Sequence, residues 1–88
     1  MCGKYYHIIE NYVYVWLLRN DSATTSEKAD LNKEITDWLI NNSPEINKIA
    51  KFPSDKRIIN RVVHDCSLMM NRKSKKVDYV WGEYSLKK

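Results

Sequence analysis

Apolar residues recur with different periods along this chain. Tyr5, Ile8, Ile9, Tyr12 and Trp16 fall three and four residues apart, the spacing of a helix with one buried face, so residues 5–19 read as a helix. The same segment is rich in Tyr, Val and Ile, and Glu10-Asn11 would turn a hairpin between Tyr5–Ile9 and Tyr12–Leu18, so a pair of strands is the alternative. Residues 20–25 (Asn20-Asp21-Ser22-Ala23-Thr24-Thr25) are polar turn and cap formers and read as a linker. Leu31, Ile35, Trp38 and Leu39 share the stripe of a second helix, from about Glu27 to Asn41, with Ser26 or Thr25 as its cap. Ser43-Pro44 then opens a short third helix, Pro44 to Lys51, with Ile46, Ile49 and Ala50 facing inward.

Phe52-Pro53 stops that helix, and Ser54 caps another after a tight turn. In residues 54–66, Ile58, Ile59, Val62, Val63 and Cys66 fall on one side and Lys56, Arg57, Asn60, Arg61 and His64 on the other. Two helices joined this way form a helix-turn-helix, the second offering a wet basic face. After Cys66 the period changes. Leu68-Met69-Met70 reads as a strand, 71–76 as a basic loop, and Val77 to Tyr84 as a returning strand. A helix-turn-helix followed by a hairpin is a winged helix. The expected fold is therefore mainly α with a small β-hairpin, one domain over 1–88. Its parts are the N-terminal segment 5–19, the linker 20–25, and the helix-turn-helix and wing over 26–84.

Charge gives this pattern a direction. Residues 51–88 hold ten Lys or Arg against four acids, whereas residues 1–50 hold five against seven, so the net +4 is concentrated in the C-terminal part. Segregated positive charge points to a polyanion, and the recognition-helix geometry points to double-stranded DNA or RNA. The candidate contacts are Lys56, Arg57, Asn60, Arg61 and His64 on the helix, with Arg72, Lys73, Lys75 and Lys76 as a basic wing reaching flanking phosphates. Lys56 and Arg57 stand in the first helical turn, where the helix dipole disfavours cations, so an external anion explains them better than helix stability does.

At this helix and hairpin the sequence resembles the Zα family, winged-helix domains that bind left-handed Z-form DNA and RNA. The similar stretch is Lys56-Arg57-Ile58-Ile59-Asn60-Arg61-Val62-Val63-His64, where Lys56 and Asn60 match the family's Lys and Asn and His64 stands in the place of its Tyr. Trp81 matches the Trp of the family's wing, while Asp78-Tyr79-Val80 replaces its Pro-Pro pair. The resemblance implies one continuous surface of Lys56, Asn60, His64 and Trp81, with the His64 ring edge close to the indole, fitted to a zigzag phosphate backbone.

Other chemistry finds little support. The chain has no Gly-rich phosphate loop and no Cys-x-x-Cys, and its two histidines, His7 and His64, are far apart, so no catalytic, metal or cofactor site is expected. Cys2 and Cys66 read as reduced thiols, and no apolar run is long enough to span a bilayer, which gives an intracellular expectation. A second function class remains beside nucleic-acid binding. The aromatic N-terminal segment (Tyr5, Tyr6, Tyr12, Tyr14, Trp16) has more apolar positions than one buried stripe requires, enough for a protein interface or a homodimer.

Overall fold

The computed structural model describes residues 3–20, 22–50 and 53–87. They run in the order α1 (Tyr6–Asn20), β1 (Ser22–Ala23), α2 (Thr25–Asn42), α3 (Pro44–Ile49), α4 (Pro53–Lys73), β2 (Val77–Val80) and β3 (Glu83–Leu86). The strands form one antiparallel sheet in the order β1-β3-β2. The fold is mainly helical with a small sheet, a winged helix-like arrangement in which a hairpin flanks the long helix α4.

The N-terminal segment is a helix. Its buried positions, Tyr6, Ile9, Val13 and Leu17, are three and four residues apart, whereas a hairpin would bury alternate ones. This stripe packs on α4 and β3 and is part of the single core. The expected linker is also structural. Asn20 ends α1, Ser22 and Ala23 pair with Ser85 and Tyr84 of β3, and Thr24 caps α2; Asp21 lies outside the described residues. The Thr24 hydroxyl accepts from the Glu27 N–H at 3.4 Å, and the Glu27 carboxylate accepts from the Thr24 hydroxyl at 3.0 Å and its N–H at 3.4 Å. Thr24 wins over Ser26 and Thr25 because it alone has a Glu three residues on, completing a capping box. Ser43 closes α2 through its N–H and opens α3 through its hydroxyl, which accepts from Ile46 N–H at 3.4 Å. Helix α3 ends at Ile49 with Ala50 as its cap, and Lys51 lies outside the described residues.

The largest correction concerns α4. It runs 21 residues, from Pro53 through Lys73, and takes in Leu68-Met69-Met70, expected as a strand. Ile59, Val63, Cys66 and Met70 are buried at intervals of four, three and four, so the helical stripe continues past Cys66. Ser74 ends the helix. Its hydroxyl accepts from the backbone N–H groups of Lys76 and Val77, at 3.1 and 2.9 Å, and turns the chain into β2. The basic stretch 71–76 is therefore no wing tip. Arg72 and Lys73 occupy the last turn of α4, where the helix dipole favours cations, and Lys75 and Lys76 lie on the connection to β2. The expected strand 77–84 is instead two strands. Its turn is Trp81-Gly82, both at positive φ (57° and 75°), as a two-residue hairpin turn of the mirrored type requires.

Tyr84 is fully buried at the centre. Its hydroxyl donates to Asn32 Oδ1 of α2 at 2.9 Å and meets the Ser67 hydroxyl of α4, while its ring lies 5.2 Å from that of Tyr79. Burial pushes the phenol well above its ordinary pKa and keeps it neutral. Cys66 is buried and disulfide-bonded, which corrects the expected free thiol; Cys2 lies outside the described residues. Helical periodicity places Cys66 on the dry face but does not reveal its bonding partner. Among the described residues no helix is long and apolar enough to cross a membrane.

Replacing Tyr84 by Phe leaves the ring in place and strips Asn32 and Ser67 of their shared buried partner. The expected cost is about 1–3 kcal/mol, and a domain of this size loses roughly 4–8 °C in Tm per kcal/mol. Calorimetry checks it: a Tyr84→Phe protein melting with the wild type would show that the phenol holds nothing together.

Candidate nucleic-acid interface

With one side of α4 locked into the core by Ile59, Val63, Cys66 and Met70, the opposite side projects Lys56, Arg57 and Arg61 into solvent and leaves Asn60 and His64 half-buried. Helix α2 runs beside it, and its buried Leu31, Ile35 and Leu39 fix which of its residues face α4. The two helices enclose an open groove of about 560 Å³ lined by Lys33, Thr36 and Asp37 from α2 and by Lys56, Arg57, Asn60, Arg61 and His64 from α4. Lys33, Lys56, Arg57 and Arg61 thus stand around one carboxylate. All five residues proposed from the α4 helix reach this groove.

The groove's internal bonds are weak enough to exchange. Lys56 Nζ lies 3.4 Å from Asp37 Oδ1, and both side chains are 60% exposed, so solvent screening leaves the pair roughly 0–1 kcal/mol. An incoming phosphate can take the lysine from it. Asn60 offers an amide donor and a carbonyl acceptor midway along the groove. The Thr36 hydroxyl already donates to the Asn32 carbonyl at 2.7 Å, which leaves its lone pairs free to accept.

His64 sits at the end nearest the start of α2. Its Nδ1 is 2.8 Å from Lys28 Nζ, and the same ammonium lies 5.3 Å from the Tyr79 ring centre. An ammonium has only protons to give, so Nδ1 accepts and the imidazole carries its proton on Nε2. Burial, then the charges of Lys28 and Arg61, hold the His64 pKa below its ordinary 6.5, partly opposed by Asp65. His64 is therefore a neutral hydrogen-bond donor among cations. This arrangement suits an anion.

The remaining sequence candidates lie elsewhere. Arg72 and Lys73, with Leu68 and Met69, border a second depression of about 310 Å³. Arg72 is sixteen residues from Lys56 along one helix, about 24 Å at 1.5 Å per residue, so the two reach different phosphates. Lys76 Nζ lies 5.2 Å from the Tyr14 ring centre on α1, and Lys75 is exposed beside it. Trp81 is 94% exposed at the hairpin tip and does not line the groove. Among the described residues the ring pairs are Tyr6–His7, Tyr12–Trp38 and Tyr79–Tyr84, so the His64–Trp81 contact implied by the resemblance is replaced by the Lys28–His64 bond. The two-residue turn places Trp81 at the tip itself rather than on the returning strand.

Lys28, Lys33, Thr36 and Asp37 were not legible as site residues. The sequence signal for them is slight: polar Asn32 and Thr36 interrupt the α2 stripe and turn out to be buried toward the neighbouring elements. Among the described residues no group of three or more His, Cys, Asp or Glu is placed to hold a metal ion. Comparison with known families, curated proteins and solved structures finds no match to this chain.

A phosphate beside His64 would offset Lys28 and Arg61 and raise the imidazole pKa. Binding should then take up a proton and tighten as pH falls from 7 through the bound-state pKa. In the free protein the depressed pKa has the opposite consequence: His64's contribution to stability is full above pH 6.5 and is lost as pH drops below it. NMR titration of the imidazole should show a pKa below 6.5 that rises with added duplex. A pKa indifferent to the duplex would place the anion elsewhere.

Proposed function

We propose that this protein binds double-stranded nucleic acid, DNA in the first instance, by laying a phosphate backbone along the groove between α2 and α4. The observation that carries this reading is the convergence of cations from two separate helices on one groove, Lys33 from α2 with Lys56, Arg57 and Arg61 from α4. The helix dipole does not account for Lys56 and Arg57, since α4 begins at Pro53 with Asp55 in its first turn and the two cations follow that acid. Lys and Arg supply charge, Asn60 and His64 supply directional bonds, and Arg72, Lys73, Lys75 and Lys76 serve more distant phosphates. The Zα resemblance narrows the proposal to a left-handed duplex, through Lys56, Asn60 and His64 at four-residue intervals.

Lys56→Ala combined with Arg61→Ala should weaken duplex binding and flatten its salt dependence by about two units of the log–log slope, at roughly 0.9 per lost phosphate contact, with the fold intact. Titration at several salt concentrations measures it. An unchanged slope would defeat the groove reading. In the same samples, inversion of the circular dichroism of an alternating CG duplex supports the Z-form assignment, and a B-form spectrum at saturation removes it.

One further observation favours a second, compatible reading. Opposite its buried stripe, α1 exposes Ile8 at 45% and Val15 at 42%, with half-buried Tyr12 packed edge-on to Trp38 of α2 at 5.7 Å between ring centres. This face is built for another protein surface, and a second copy of the chain is the simplest partner. Ile8→Glu with Val15→Glu should then convert a dimer to a monomer in light scattering. A wild-type monomer at high concentration would end the homodimer proposal.

A further inference from the structure

Trp81 carries two penalties at once. Its φ of 57° lies in the left-handed region, which a bulky L residue disfavours and where Asn or Gly would sit at ease. Its ring is also 94% exposed, and the neighbouring Val80 is 46% exposed. Among the described residues the indole takes part in none of the ring–ring or ring–cation contacts. The fold gains nothing visible from this ring. A residue held in an unfavourable conformation and left bare is one whose partner lies outside the chain.

Position says what that partner is. A Cβ on Gly82 would lie 3.4 Å from Thr25 Oγ1, so the tip stands against the start of α2. Two residues before the tip, Tyr79 stacks with the ammonium of Lys28, which bonds His64 at the groove's end. The tip is therefore linked to the His64 end of the cationic groove through Tyr79 and Lys28. A groove that holds a sugar-phosphate backbone brings bases to this end. An indole can stack only on an open base face, and bases inside a duplex have both faces covered; a bulged, mismatched or frayed base does not, and is the least costly to displace.

We infer that Trp81 is a stacking wedge that takes an unpaired nucleobase of a distorted duplex while the groove holds the adjoining backbone. The inference rests on the nucleic-acid reading above and adds to it a preference for duplexes with a displaced base.

The test compares two duplexes that differ only by one bulged 2-aminopurine. The whole chain should bind the bulged duplex about tenfold more tightly, within the range that base–aromatic stacking supplies, and should quench the 2-aminopurine emission. Trp81→Gly should erase both the preference and the quenching, leave the salt slope unchanged, and raise Tm by relieving the positive φ. Trp81→Asn, which also tolerates that backbone, should do the same, and Trp81→Phe should keep part of the preference. Lys56→Ala with Arg61→Ala should weaken both duplexes alike. Equal wild-type affinity for the two duplexes, or a preference that survives Trp81→Gly, overturns the wedge and leaves the groove standing. Failure of the wild type to bind either duplex overturns both.

Discussion

Three elements meet at the hydroxyl of Tyr84. The residue belongs to β3, its hydrogen bond reaches Asn32 on α2, and its second polar contact is Ser67 on α4. Small domains have little apolar area with which to fix the relative placement of their parts, so a directional bond inside the core contributes more to geometry than its energy suggests. Here it sets how α2 lies against α4, and hence the spacing of the two walls that carry Lys33 and Asp37 on one side and Lys56, Asn60 and Arg61 on the other. β3 in turn holds β1 and β2, so the hairpin tip is referred to the same point. The two helices that wall the groove thus share one fastening in the core.

Two local rules are broken on this molecule, and the breaches lie together. An imidazole is pressed against an ammonium, and a tryptophan sits at positive φ. Elsewhere the chain follows the rules closely, with a full capping box at Thr24, a shared cap at Ser43 and cations at the correct end of α4. Sequences that fold well are consistent at every level except where something other than folding is being served. The groove and the tip beside it are that exception.

Legibility followed the length of the periodic signal. The helices of residues 25–49 and the basic side of α4 from Lys56 to His64 could be read because apolar positions recur over several turns with polar residues between them. Residues 12–18 are apolar without a break, so helix and hairpin stayed open there, and the expected stripe of Tyr5, Ile8, Ile9, Tyr12 and Trp16 gives way to Tyr6, Ile9, Val13 and Leu17. Ile58, expected on the dry side of α4, is exposed. The end of α4 could not be read. Leu68-Met69-Met70 is a short apolar run that suits strand or helix, and only the burial of Ser67 and Met70 against Tyr84 and β2 decides for helix. That error moved the hairpin by one element and misplaced Arg72 and Lys73. β1 escaped notice because two residues, Ser22 and Ala23, carry no period at all; β3 makes them a strand. Lys28 and Lys33 were invisible as site residues for a related reason: which polar residues of α2 share a groove with α4 depends on how two helices are set side by side, and neither sequence states it.

Ser74 has a consequence for how such a chain can vary in length. Between Met70, the last buried residue of α4, and Val77, the first of β2, the path is fixed at both ends by one hydroxyl and by the Lys87 ammonium donating to the Ser74 carbonyl at 2.6 Å. An added or deleted residue there would turn β2 over and exchange Val77 and Tyr79 for Asp78 and Val80 in the core. Related chains should therefore keep the connection from α4 to β2 at a single length, whatever side chains it carries.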